Sequence, residues 1–255
     1  MVTARGILGR MPDAPDLLPA GAGPRSLRAL AWRSTLQVLV AAPHPDDFDA
    51  IAVTLRHLHA QGHSLHVAVL TSGAGGVDDG FGGARDDAAK AALREQEQRA
   101  SCGRFGLPPQ ALEFLRMWQP GAPDVDDLAP LRAWMAARRP DLLFMPHGND
   151  SNRTHRRTFE AVLAVAAEQR MQAWALLNQD AKTAQMRVDL FLDFGEEEAA
   201  WKANLLRCHA SQQARNLRTR GTGFDARVLQ VNRQAAQALG SALPYAEVFE
   251  ALRLG

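Results

Sequence analysis

From Leu36 onward the chain alternates short apolar runs with longer stretches whose apolar residues recur every three or four positions. No other feature constrains the fold as much. A run of roughly four to eight apolar residues, rich in branched side chains, is a strand covered on both faces. Such runs occupy 36–42, 64–70, 112–117 and 141–146. Helical spacing marks 49–61, 85–103, 128–138 and 154–169; in the first of these Ile51, Leu55 and Leu58 share a face and Gly62 ends it. Strand-like 174–177 and 188–194 would extend the sheet. Buried strands separated by helices form βαβ units, and right-handed crossovers place those helices on both faces. The expected fold class is therefore α/β: a three-layer, Rossmann-like, mostly parallel sheet with helices on both faces.

Composition supplies the exclusions. With 46% apolar and 22% charged residues the chain has the makings of an ordinary core. Its 29 Lys and Arg against 28 Asp and Glu leave a net charge of +1, which gives no global attraction to nucleic acid or acidic lipid. No apolar run approaches the roughly 20 residues of a membrane span. Cys102 and Cys208 stand far apart in no metal-like spacing, as thiols of a cytoplasmic protein would. Residues 1–33 carry Arg5, Arg10, Arg25, Arg28 and Arg33 against Asp13 and Asp16, with Pro12, Pro15, Pro19 and Pro24. They lack the apolar core of a signal peptide and are expected to form a loosely ordered extension. A single domain over 34–255 would follow. Homo-oligomerisation is left open.

In open parallel sheets ligands bind beyond the carboxyl ends of the strands. The chemistry should therefore follow Ala42 and Met145. After Ala42 comes Pro43-His44-Pro45-Asp46-Asp47; after Met145 comes Pro146-His147-Gly148-Asn149-Asp150-Ser151-Asn152-Arg153-Thr154-His155. Two strand ends thus supply His, Asp, Asp and His. A mixed nitrogen and oxygen set of three ligands suits a catalytic Zn²⁺ with an open water position, and a neighbouring carboxylate is then free as a base. Taken alone, the first segment is more often a turn with an Asp capping the next helix; the two segments together reverse that and favour a metal. Asp150 either orients a ligand histidine or caps a helix. His147 is a structural histidine or a substrate contact, and His209 a site-lining residue or helix surface. The Gly-rich loop from Ser72 to Gly83 lacks phosphate-cradle spacing. It reads as a mobile substrate-side loop, with Arg85 and Arg94 as candidate substrate contacts against the alternative of a solvated helix face. Arg215, Arg218, Arg220, Arg227 and Arg233, around Gly221-Thr222-Gly223, read as a flexible basic loop, with a lid for an anionic substrate as the functional alternative.

The Pro43–Asp47 turn resembles the signature of the LmbE-like/PIG-L zinc-dependent N-deacetylases. The Gly-rich loop after Thr71, Arg94-Glu95-Gln96-Glu97, the 146–155 segment, 201–212 and the ending 245–253 follow in family order. The resemblance spans about 36–254 and implies an LmbE-like fold. It implies His44, Asp47 and His155 as zinc ligands, at donors that also accept other divalent transition metals, and Asp46 as general base. The implied activity is hydrolysis of an N-acyl group, acetyl foremost, from an amino sugar or sugar-bearing metabolite; the partner is a small-molecule N-acetylated sugar or glycoconjugate. Two departures stand out. Phe48 replaces a Glu of the relatives. Asn152-Arg153-Thr154-His155 replaces His-Pro-Asp-His, so Asn152 takes the place of an imidazole that steadies the oxyanion, and Thr154 that of its orienting acid. The competing expectation is a zinc-binding member with lost or altered catalysis, serving as a binding or accessory module. Retention of Asp46 favours the enzyme.

Overall fold

The computed structural model of the protein describes residues 23–32, 34–118 and 127–255. In chain order these form Arg25–Ser26 (β1), Gln37–Ala42 (β2), Ala52–Ala60 (α1), Ser64–Val69 (β3), Asp87–Phe105 (α2), Leu112–Phe114 (β4), Ala129–Arg138 (α3) and Leu142–Pro146 (β5). Arg153–Glu168 (α4), Ala173–Asn178 (β6), Leu190–Phe194 (β7), Glu196–Leu206 (α5), Ala210–Arg220 (α6), Phe224–Leu239 (α7) and Tyr245–Leu254 (β8) complete the chain. The strands make one sheet in the order β1-β7-β8-β6-β5-β2-β3-β4. All pairings are parallel except those of β8, which runs antiparallel between β6 and β7.

β2 shows why an unbroken apolar run belongs here. Val38, Val40 and Ala42 point into a core shared with Phe48, Leu55 and Leu58. Leu39 and Ala41 point into the opposite core, with Leu131, Trp134, Val162 and Val165 from α3 and α4. Successive side chains alternate faces, so a strand covered on both sides must be apolar throughout.

Three expectations change. The helix expected from Asp49 opens with a single 3₁₀ turn, Asp49–Ile51, before α1 begins. Arg25–Ser26 pairs with Leu190–Phe191, and Leu27 and Leu30 are buried, so the sheet begins inside the stretch expected to be a loose extension; residues 1–22 lie outside the described residues. The basic stretch is not a flexible loop but helices α6 and α7. Gly221 ends α6 with φ 69°, a conformation glycine adopts freely, and its N–H caps Leu217 O. Individual partners absorb much of the charge: Arg218 pairs with Asp78 at 2.7 Å and Arg233 donates to Tyr245 Oη at 2.6 Å.

Candidate metal centre

β2 lies between β3 and β5. Its connection to β3 runs one way along the sheet and β5 adds on the other side, so the loops leaving β2 and β5 part at a crevice. The first loop is a tight turn. Thr71 closes its start, donating from N and Oγ1 to Pro43 O at 3.1 and 2.8 Å. The His44 N–H donates to Asp47 Oδ2 at 2.8 Å, and His44 Nδ1 lies 3.2 Å from the same oxygen. Between them Asp46 has φ 125°. Non-glycine residues in such regions cost on the order of 1–3 kcal/mol and persist only where their surroundings hold them. Two side chains one turn apart on α2 do so. Gln98 Oε1 accepts from the Asp46 N–H at 2.8 Å; Arg94 Nη2 donates to Asp46 Oδ2 at 3.0 Å and to Pro45 O.

The second loop aims a histidine. Asp150 is buried; its Oδ1 accepts from the Asn152 N–H at 2.6 Å and its Oδ2 lies 3.0 Å from His155 Nδ1. With Nδ1 engaged by a carboxylate, His155 presents Nε2, which lies 3.6 Å from Asp47 Oδ1. One donor atom from each of His44, Asp47 and His155 falls within 4.8 Å of the others. The field there favours positive charge. Burial pushes His155 down, but Asp47 and Asp150 outweigh it and raise its pKa to about 9. Burial pushes Asp47 up, yet His155 and His44 hold it far below the usual carboxylate range. Asp150 is lowered too, because its hydrogen bonds to His155 and the Asn152 N–H overcome burial. Two imidazoles and a carboxylate converging where cationic charge is stabilised fit a divalent transition metal.

His44, Asp46, Asn152 and Thr154 line a cleft of about 580 Å³, together with Arg94, Gln212 and the 71–76 loop. A smaller cavity of about 90 Å³ touches Asp46, Asp47, Asp180 and Gln212. Among the other expected site residues, Arg94 is brought to the centre, and Asp150 backs His155. Asn152 serves as N-cap of α4, its Oδ1 accepting from the Thr154 N–H at 3.0 Å. Three substrate-contact expectations are corrected. Arg85 is exposed on the loop before α2 and lines neither cavity. His147 turns to Glu250, 3.3 Å away, and accepts from the Asn149 N–H. His209 is fully buried with Nε2 2.7 Å from Asp49 Oδ2, out of reach of both cavities. Phe48, expected as a missing polar group, is core, packed edge-on to Phe105 at 5.0 Å.

Sequence reasoning missed Asp180, which forms a second candidate donor group with Asp150 and His155. Burial raises its pKa. Asp180 follows the carboxyl end of β6, so the strand-end rule applied to one more strand would have found it. Gln98 carried no signal beyond its place one turn after Arg94.

The fold and the centre together define a class: an α/β protein with a His–Asp–His candidate metal site at the sheet's switch point. The chain belongs to the PIG-L family, GlcNAc-PI de-N-acetylase, whose model matches residues 39–166. Curated proteins give no sequence match. Solved structures do, at low identity. N,N'-diacetylchitobiose deacetylase from Pyrococcus horikoshii superposes with a TM-score of 0.69 at 18% identity, over 84% of this chain and 83% of that one. A zinc-inhibited form of teicoplanin deacetylase Orf2 gives 0.63 at 16%, over 85% and 98%. GalB, the 4-carboxy-2-hydroxymuconate hydratase of Pseudomonas putida KT2440, gives 0.63 at 21%, over 86% and 96%. No helix among the described residues is long and apolar enough to cross a membrane.

Proposed function

We propose that the protein is a divalent-metal-dependent N-deacetylase acting on a small N-acetylated amino sugar or glycoconjugate, with zinc as the first metal to try. The observation that carries this reading is the convergence of His44, Asp47 and His155 beside Asp46, a carboxylate outside the donor set that opens on the cleft. Membership in a de-N-acetylase family and two deacetylases among its structural neighbours support it. A bound zinc ion would supply a Lewis acid and a water of lowered pKa. Asp46 would take the proton of the attacking water and return one to the leaving amine. Arg94 and Gln98 fix the direction in which that carboxylate points. Asn152 spends Oδ1 on the Thr154 N–H; its Nδ2 donors are left for the oxyanion, which a neutral amide can hydrogen-bond but not protonate.

The test is amine release from a panel of N-acetylated sugars, comparing zinc-loaded with chelator-treated protein. Release by the loaded form alone is expected. No release from any of them, by protein shown to hold zinc, would contradict the reading. A second reading has its own observation: GalB shares the fold and adds water to a carboxylated substrate, and the present chain lacks the imidazole and acid at 152 and 154. Loss of the absorbance of 4-carboxy-2-hydroxymuconate on incubation with the zinc-loaded protein would favour that hydration over deacetylation. A purely accessory role would leave the Asp46 carboxylate, which opens on the cleft, only the structural task of pairing with Arg94.

A further inference from the structure

The cavity of about 90 Å³ and the wide cleft meet at Asp46 and Gln212, which border both. An amide cleaved beside Asp46 has an amine half and an acyl half. The cleft, at about 580 Å³, is the space for the sugar-bearing amine. The small cavity is then left for the acyl chain. Asp47, a candidate ligand, borders this cavity and not the cleft.

The cavity wall is of two kinds. Phe224, Val228 and Val231 are spaced four and three residues apart on α7, so they share a face and offer carbon surface. Asn216, from α6, is polar and only 6% exposed. Its Nδ2 donates to Gln212 O at 2.9 Å, which fixes the orientation of the amide and commits its donor. Asn216 Oδ1 is buried, and nothing among the described residues donates to it. Gln179 Oε1, from the segment after β6, borders the same cavity and is likewise buried without a donor among the described residues. A buried carbonyl oxygen without a donor is costly and rare. Two of them on one small cavity beside the reacting carboxylate mark a place for a group that brings a donor. A plain acetyl methyl brings none. An ammonium suits it less, because both acceptors are neutral and Arg227 borders the same space, 3.9 Å from Asp180. A hydroxyl on a short carbon chain meets both kinds of wall at once.

We infer that the small cavity is an acyl subsite that selects a short hydroxyacyl group, whose hydroxyl donates to Asn216 Oδ1. This deepens the amide hydrolysis proposed above and rests on the amide being cleaved beside Asp46. A glycolyl group is then preferred, and acetyl is a slower substrate of the same site.

The test compares N-glycolylglucosamine with N-propanoylglucosamine. They differ only in a hydroxyl against a methyl, so the sugar half cancels in their ratio. Calorimetric titration uses chelator-treated protein, so that neither compound is consumed. Wild type is expected to bind the glycolyl compound more tightly by about tenfold or more, since the propanoyl compound leaves a buried acceptor unpaired. Asn216→Leu removes the acceptor at similar volume and should abolish that preference. A partly unfolded variant would bind both compounds less and leave the ratio in place, so the ratio reads the subsite alone. Val231→Phe, which narrows the cavity from α7, is the second variant; it should weaken both compounds relative to N-acetylglucosamine. No preference in wild type, a preference unmoved by both variants, or no binding of any of the three compounds overturns the inference. Amine release from the same compounds by zinc-loaded protein separates it from the function on which it rests. Release with no glycolyl preference removes the subsite and spares the hydrolase. Glycolyl preference in binding, with no release from any compound, does the reverse.

Discussion

The turn at His44–Asp47 rests on buried side chains from several elements, whereas Asn152, Arg153, Arg157 and Arg215 stand at the rim exposed or half-buried. Beneath the turn Asp49 is fully buried and is met by His209 Nε2 at 2.7 Å, Gln98 Nε2 at 3.3 Å and Ser101 Oγ. Farther along, Glu247 caps the start of α1, accepting from the Val53 and Thr54 N–H groups at 3.1 and 2.7 Å. Lys202 holds Glu247 at 2.7 Å and donates to Ala50 O at 2.5 Å and to Asn232 Oδ1 at 2.7 Å. Both ions of that pair are essentially unexposed. Among the described residues, the rim side chains Asn152, Arg153 and Arg215 are held by no such buried lattice. The geometry of the candidate ligands is thus fixed by groups that cannot change singly, while the residues facing the cleft can be exchanged at little structural cost. Asn152 and Thr154 lie in the exchangeable region.

The sharpest way to separate chemistry from scaffold is Asp46→Asn. Zinc stoichiometry should stay at wild type while kcat falls by about 10²–10⁴, the usual contribution of a general acid–base group; wild-type turnover would remove Asp46 from the mechanism. On the scaffold side, Lys202→Ala leaves Glu247 buried without its cation. Urea unfolding should show a loss of about 3–5 kcal/mol, and replacing both partners by apolar residues of similar volume should restore much of it. A loss under 1 kcal/mol would mean that the floor is not held as described.

At the rim, Asn152→Ala should lower kcat by about 10²–10³ with KM little changed, as for one lost oxyanion donor. A fully active variant would reduce Asn152 to a helix cap. The smallest effect concerns pH and lies away from both regions. Burial, ahead of any nearby charge, lowers the pKa of His57, His63 and His66 from 6.5. A lowered histidine binds its proton more readily unfolded, so stability is retained above pH 6.5 and declines as pH falls through that value. Above pH 6.5 the raised His155 acts in the opposite sense, so the window is pH 6.5 to 5. Melting temperatures there in 1 M salt should show a shallow fall, and a rise on acidification within it would reverse the assignment.

The floor was largely legible in the sequence because its signals are local. An apolar run of strand length, followed by two carboxylates and a histidine, marks both a buried strand and the place where it ends. What stayed hidden depends on packing between distant segments. Phe48, read beside acids as a lost polar group, turns inward because the 3₁₀ turn after Asp46 puts it against Phe105. His209 looked equally suited to a site or a surface and became the partner of Asp49, 160 residues away. The arginines looked like loop because α6 is polar almost throughout and the Gly221–Gly223 break lies in their midst, although α7 carries an apolar face with Phe224, Ala235 and Ala236. Arg153 and Arg157 drew no attention because a pair of arginines on a helix is ordinarily solvated; the cleft beside them is a property of the folded chain alone.

The metal centre itself is tested most directly by a crystal structure of zinc-loaded protein with anomalous data collected at the zinc edge. One strong peak is expected, with a nitrogen of His44, an oxygen of Asp47 and a nitrogen of His155 at about 2.0–2.2 Å from it, and Asp46 outside bonding distance. A peak bound by other residues, or a His155 ring turned away from a peak at His44, would contradict it.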